Sequence, residues 1–289
     1  MWFFYALTFA ITSSLGVIIS KKILRETNEY LYLWLSGIFV LPIFFLTIVS
    51  FYQIPKFDEI FLRFVSISVA LDVVAAVLAY KAIKSAEVSL VAPMSAFNPV
   101  FTALISFIFL SEKITFHGGI GILLICLGAY VLQISKLRND WLDPVRGFMK
   151  NRAIQFSLLA YFIWSITPIL QKAAILHTTP QVPAFVGFSG LLGMVTVLTF
   201  FAARYFKDIG STLKKNFILL FIVGVLGVIG NISAFTTFSL TNLGYATAVF
   251  KLSMIFTVIL GWVFFKEKNI KDRIIGSSIM LTGVLLLVK

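Results

Sequence analysis

At 289 residues, 60% hydrophobic and only 12% charged, with a mean hydropathy of +1.00, the chain is too apolar for a soluble domain, in which roughly 25% of residues are charged. A net charge of +12 would raise nucleic acid as a partner of a soluble protein. Here the basic residues stand at the ends of apolar runs, where anionic headgroups and topology account for them, so nucleic acid is not an expected partner.

The apolar runs are near 20 residues long and continuous rather than alternating, which selects transmembrane helices over a closed barrel. Ten spans follow in order, at about 2–20, 30–51, 60–83, 88–110, 116–134, 153–175, 181–203, 216–239, 243–265 and 273–288. The first has no positive stretch ahead of it and exceeds the ~7–15 residues usual in a signal peptide, so it reads as an uncleaved span. The longest connector, Ser135 to Arg152, is basic with Trp141, Phe148 and Met149 interspersed; it suits a segment lying on the membrane surface or a solvated linker. It divides the chain into 1–135, a linker at 136–152, and 153–289, five spans on each side.

Of the 24 Lys and Arg, 18 fall in loops after odd-numbered spans and five on the other side: Lys56, Arg63, Lys113, Lys172 and Lys289. The remaining one, Lys251, lies within a span. The positive-inside rule then places both termini outside, with the plasma (inner) membrane as the expected location.

The halves contain a repeat. Pro99 to Gly128 aligns without a gap on Met254 to Gly283, 155 residues later. Phe101 meets Phe256, Phe109 meets Phe264, Glu112-Lys113 meets Glu267-Lys268, and Gly121 and Gly128 meet Gly276 and Gly283. Each copy is a helical hairpin. More weakly, Ser14–Leu24 resembles Ser165–Leu176. Five spans is an odd number, so equivalent elements must run in opposite directions across the bilayer, a plan common in secondary transporters. The fold class is therefore an all-α polytopic membrane protein, ten transmembrane helices in two inverted five-helix repeats.

The small-residue run ending in proline (Val91-Ala92-Pro93, Asn98-Pro99), the Glu at Glu112 and Glu267, and the later glycines resemble the EamA domain of the drug/metabolite transporter superfamily, twice over. Trp164-Ser165 resembles the opening helix of that domain, which adds Trp164 to the substrate-binding candidates. The resemblance implies a ten-helix carrier of small metabolites, its cavity walled by the first, third and fourth helices of each repeat. It also implies cytoplasmic termini, against the charge count, which is followed here. Lys251 and the absence of proline from the ninth span depart from the pattern.

Candidate substrate-binding residues are Asp72, mid-way along the third span, and Lys251, about nine residues into the ninth. Charges at that depth face a cavity or a partner. Lys251 could hold a substrate anion and Asp72 an amine or a proton; alternatively the two form a structural ion pair, or Lys251 snorkels. Pro93 and Pro99 break the fourth span and free a carbonyl one turn back, with Asn98 alongside as a contact, unless the kink serves packing alone. Asn231 and Gln171 are similar candidates, although amides also join helices structurally. Glu112 and Glu267 mark a gate or, more simply, fix the hairpin turn. His117 and His177 stand without ligand-spaced neighbours, so neither metal nor cofactor is expected. The glycines at 187, 190, 193, 224, 227 and 230 read as packing positions or as sliding contacts.

A secondary transporter, acting as an exporter (efflux) and driven by protons or facilitative, is the leading reading. The sequence has no nucleotide-binding loop and none of the Ser/His, H-E-x-x-H or paired-carboxylate patterns of an intramembrane enzyme, so no catalytic residue is expected. The alternatives are a carrier of lipid or lipid-linked substrate, or a non-transporting membrane partner protein. Expected partners are a small-molecule substrate and the bilayer, with a homodimer allowed.

Overall fold

The computed structural model describes residues 1–24, 26–85, 92–134, 152–265 and 271–288. Glu267 and the linker segment 135–151 lie outside the described residues. In chain order the helices are α1 (Trp2–Ile23), α2 (Glu29–Phe51), α3 (Glu59–Ser85), α4 (Asn98–Leu110), α5 (Phe116–Ile134), α6 (Arg152–Leu176), α7 (Pro183–Ala202), α8 (Ile209–Leu240), α9 (Leu243–Phe250), α10 (Ser253–Phe265) and α11 (Lys271–Val288). Two-residue strands β1 (Lys56–Phe57) and β2 (Thr178–Thr179) pair antiparallel, the one strand pairing among the described residues. Among the described residues, five stretches are long and apolar enough to cross a membrane: Trp2–Ser20, Glu29–Phe51, Glu59–Ala79, Arg152–Leu176 and Pro183–Leu240. Shorter apolar helices cover Met94–Leu110, Phe116–Val131, Leu243–Thr257 and Ile275–Leu287.

Two expected spans are not single helices. The fourth opens as a 3-10 turn, Ala92–Phe97, before α4 begins at Asn98. Proline explains this, because Pro93 and Pro99 each lack a backbone donor. The ninth span also breaks, although it has no proline. Through Lys251 and Leu252 the bonding shifts to i→i+3, with the Lys251 N–H donating to Ala248 O at 3.0 Å, Leu252 N–H to Val249 O at 3.0 Å and Met254 N–H to Lys251 O at 2.9 Å. That tightens the chain through one turn and separates α9 from α10. The 155-residue repeat offset reappears where the helices begin: α4 starts at 98 and α10 at 253.

The chain packs as two compact units that cut across the halves. The first holds Met1–Val73 and Leu170–Ser239, the second Val74–Ile169 and Leu240–Lys289. Sequence similarity divides the chain at the linker, whereas packing sets helices of one half against helices of the other.

In the first unit α2 packs on α7 and α8. Val40, Phe44 and Ile48 are buried with Val182, Ala184 and Val228. A second cluster gathers Ile23, Leu31, Tyr32 and Leu35 around Leu220. Gly224 admits α2 to backbone range, a Cβ there falling 3.0 Å from Phe39 O, and Gly227 and Gly230 meet Val40 and Thr12 as closely. Gly187 and Gly193 likewise touch Phe235 and Val69, but Gly190 has nothing within 4 Å, so the packing expectation does not extend to it. At one end of this unit β1 and β2 join loops from the two halves. Beside them the His177 ring meets Asp58 Oδ2 through Nδ1 at 2.9 Å, a neighbour that sequence spacing did not disclose. The Phe61 amide, then His177, hold the Asp58 carboxyl below its ordinary range. Elsewhere in the unit Lys215 Nζ donates to Glu26 Oε2 at 2.9 Å, and that bond lowers the Glu26 carboxyl.

In the second unit α5 crosses α11 through the duplicated glycines. A Cβ on Gly121 would lie 2.8 Å from Gly283 O, and one on Gly128 2.6 Å from Gly276 O. Position rises along one helix as it falls along the other, so the two run antiparallel. The contact is reciprocal, since 121 and 276, like 128 and 283, are repeat equivalents. Close approach of this kind is what small residues allow between helices in lipid. The first hairpin's turn is pinned to the start of α9: Leu243 N–H donates to Glu112 Oε2 at 2.7 Å, Asn242 Nδ2 to Lys113 O at 2.8 Å, and Thr115 N–H to Tyr245 Oη at 3.0 Å. Glu112 thus caps a helix of the other half.

Candidate functional site

The second unit gathers its polar groups around Tyr161, on α6 and roughly mid-way along an apolar run. Tyrosine in a span favours the headgroup level, where its hydroxyl is wet, so a mid-span ring needs internal partners. It has them from both broken spans. From the fourth, Ser95 hydrogen-bonds the Tyr161 hydroxyl, and the Asn98 amide donates through Nδ2 not to the ring but to the Tyr161 main-chain carbonyl at 3.1 Å. From the ninth, Lys251 Nζ stands 5.5 Å from the centre of the Tyr161 ring. The Trp164 ring lies tilted against the same tyrosine, centroids 5.5 Å apart. Cys126 of α5, buried, is within electrostatic reach of Lys251.

Residue positions explain the convergence. Ala96 and Lys251 are repeat equivalents: Ala96 lies in the 3-10 turn just ahead of α4, and Lys251 in the turn between α9 and α10. Asn98 begins α4 and is buried, with Pro99 beside it. Its side chain is therefore held where the helix starts, and its amide turns to α6. Pro93 stands in the 3-10 turn ahead of it. In the second copy Lys251 stands at the position of Ala96, so the break between α9 and α10 carries a charge that the turn Ala92–Phe97 does not. Its ammonium meets a π face, a weak partner compared with a carboxylate.

The other candidates are in the first unit. Gln171 Nε2 donates to Asp72 Oδ2 at 3.2 Å, joining the end of α6 to α3. Asp72 and Lys251 are therefore found in different units, each with its own neighbour. Asn231 spends its Nδ2 on Gly227 O of its own helix at 2.8 Å. It lines a cleft of about 160 Å³ between α1 and α8, together with Phe9, Thr12, Ser13, Gly16 and Gly230. Ligand pockets run to about 300–1,000 Å³, so this cleft holds part of a molecule at most. Sequence reasoning missed Tyr161, Ser95 and Cys126. A tyrosine far from either end of its span was the available signal for the first; the other two gave none. Ser14 and Ser165, by contrast, are both fully buried and both donate to the carbonyl three residues back, as the likeness of the first and sixth spans implies.

Comparison with known proteins fits this arrangement. A family model described as the EamA-like transporter family matches residues 1–134 and 151–289. An uncharacterized protein of Methanocaldococcus jannaschii is 36% identical over 115 residues, which are 39% of this chain and 83% of the relative; the relative is thus about 140 residues long (115 divided by 0.83). A protein of known crystal structure superposes with a TM-score of 0.74 at 11% identity, over 99% of this chain and 94% of its own. At that identity the likeness concerns the fold alone.

Proposed function

The chain belongs to the EamA-like transporter family, and from that premise we propose that it is a secondary transporter moving a small metabolite by alternating access. The observation that carries the reading is the pair of broken spans. Each half contributes one, they break at equivalent repeat positions, and both bear on Tyr161. Helices interrupted at mid-membrane are where transporters of inverted-repeat plan expose polar groups to a substrate.

The plan proposed is ten spans in two inverted five-helix repeats, 1–135 and 153–289, joined by the linker 136–152. The antiparallel, reciprocal glycine crossing of α5 and α11 supports inversion, because a two-fold axis between equivalent helices produces that pattern. Charge asymmetry favours both termini outside the plasma (inner) membrane. Substrate contacts are assigned to Lys251, Asn98 and Trp164 in one unit and to Asp72, Gln171 and Asn231 in the other. Transport is taken as export, proton-coupled or facilitative. No catalytic residue or cofactor is assigned, and a homodimer is compatible with the plan.

The test is a proteoliposome screen of amino acids, sugars, nucleobases and amphipathic drugs, with and without a proton gradient. Uptake of one class that is lost in Asp72→Asn or Lys251→Gln, with folding retained, is the expected result. Transport of none by folded protein would overturn the reading in favour of a lipid carrier or a non-transporting partner.

A further inference from the structure

Lys251 is the one residue of the Tyr161 cluster whose charge is not answered. Among the described residues its ammonium makes no hydrogen bond or ion pair. Its neighbours there are the π face of Tyr161 and the thiol of Cys126. Glu112 carries the one carboxylate among the described side chains of the second unit, and it already accepts from the Leu243 N–H. The carbonyls of the turn beside Lys251 accept from that turn's own N–H groups. A cation at this depth in a span is retained where it meets a partner or a ligand.

Resting on the transporter reading, we propose that the substrate is a small organic anion, its carboxylate or phosphate group taken by Lys251 Nζ where the ninth span breaks. An ammonium over a ring is held by the quadrupole alone. An anion in reach forms a charge-assisted hydrogen bond, which is the stronger interaction, and so draws the ammonium from the ring. The flat faces of Tyr161 and Trp164 favour an anion with an apolar body over a bare inorganic ion. The consequence reaches both halves, because the tyrosine that loses the cation is the residue to which Asn98 and Ser95 attach the fourth span.

The full-length protein would be tested with benzoate, glutamate and inorganic phosphate. Benzamide and benzylamine are the uncharged and cationic counterparts, with potassium chloride as the ionic-strength control. Three readouts are used: the thermal midpoint, the rate of N-ethylmaleimide labelling of Cys126, the chain's single cysteine, and uptake into liposomes. At twice its dissociation constant a bound anion shields the site about threefold, so labelling slows by about that factor and the midpoint rises. Lys251→Met loses both effects and Lys251→Arg retains the midpoint shift. If Lys251→Met does not fold, wild-type protection of Cys126 decides, and protection equal with anions and counterparts overturns the proposal. So does an anion effect that persists in Lys251→Met. Uptake of an uncharged or cationic probe with no anion effect refutes the anion and leaves transport standing. Anion binding that depends on Lys251, without uptake of any probe, supports the anion site and refutes transport.

Discussion

Replacing Gly128 by Ala tests whether the α5–α11 crossing is as close as the structure draws it. The new Cβ would fall 2.6 Å from Gly276 O and 2.7 Å from Met280 N, against 3.4–4 Å for ordinary contact. Both are backbone atoms, so no rotamer relieves the overlap and the helices must part by on the order of 1 Å, which costs about 1–3 kcal/mol. A helical Gly→Ala change returns about 1 kcal/mol of propensity, and a net loss of about 0–2 kcal/mol remains. Gly190→Ala is the control, because nothing lies within 4 Å of its Cβ and only the gain applies. Gly283→Ala should lose as much as Gly128→Ala, with Gly121 O at 2.7 Å and Ile125 N at 2.9 Å. The double variant should lose less than the sum, since one separation of the helices relieves both overlaps. Reversible unfolding in mixed micelles, followed by a denaturant midpoint, measures all four. Gly128→Ala proving as stable as Gly190→Ala would refute the crossing.

Glu112→Ala should cost about 0.5–2 kcal/mol as a lost helix cap and Glu112→Gln less, because an amide oxygen still accepts from the Leu243 N–H; thermal unfolding of the pair ranks them. The lowered Asp58 carboxyl gives a signed pH effect: its contribution is present above the ordinary carboxylate pKa of about 4 and is lost as pH falls through the lower folded value. Asp58→Asn should therefore flatten the acid limb of stability below about pH 4, and an unchanged limb would remove the Asp58–Phe61 and Asp58–His177 bonds from the account. Asp72→Asn should cut uptake about tenfold, the worth of one hydrogen bond to a charged group, in a folded protein; wild-type uptake would confine Asp72 to a structural role. A reporter fused after Lys289 should be active only outside the membrane.

The duplicated hairpin was legible because its marks are local. A Glu at a turn and glycines seven residues apart fix where a helix ends and which face is narrow, and the same offset then relates the starts of α4 and α10. The break in the ninth span was not legible. Proline advertises a break through its missing donor, whereas a shift to i→i+3 bonding at Phe250-Lys251-Leu252 leaves no residue type to notice. Tyr161, and the partner of Glu112, escaped for another reason. The partners of these two residues lie 63 and 131 residues away, across the boundary that the repeat itself suggests, and an offset shared by two halves says nothing of which half each helix packs against. Asp72 and Lys251 were visible as charges in apolar runs, but their partners, Gln171 and the face of Tyr161, belong to α6 and required the fold.

The reciprocal glycine crossing has a consequence for how such a chain changes over time. A contact in which residue i meets j while j meets i is isologous, the kind that joins identical subunits across a two-fold axis. Two free copies of one repeat, each near the length of the Methanocaldococcus jannaschii relative, could form it only if inserted in opposite orientations. In such a dimer one codon change at the Gly128 position would strike the interface twice. In the fused chain it strikes once, leaving Gly283 untouched. Fusion halves the damage of a single substitution there and frees the two sides to diverge, which Ala96 and Lys251 have already done.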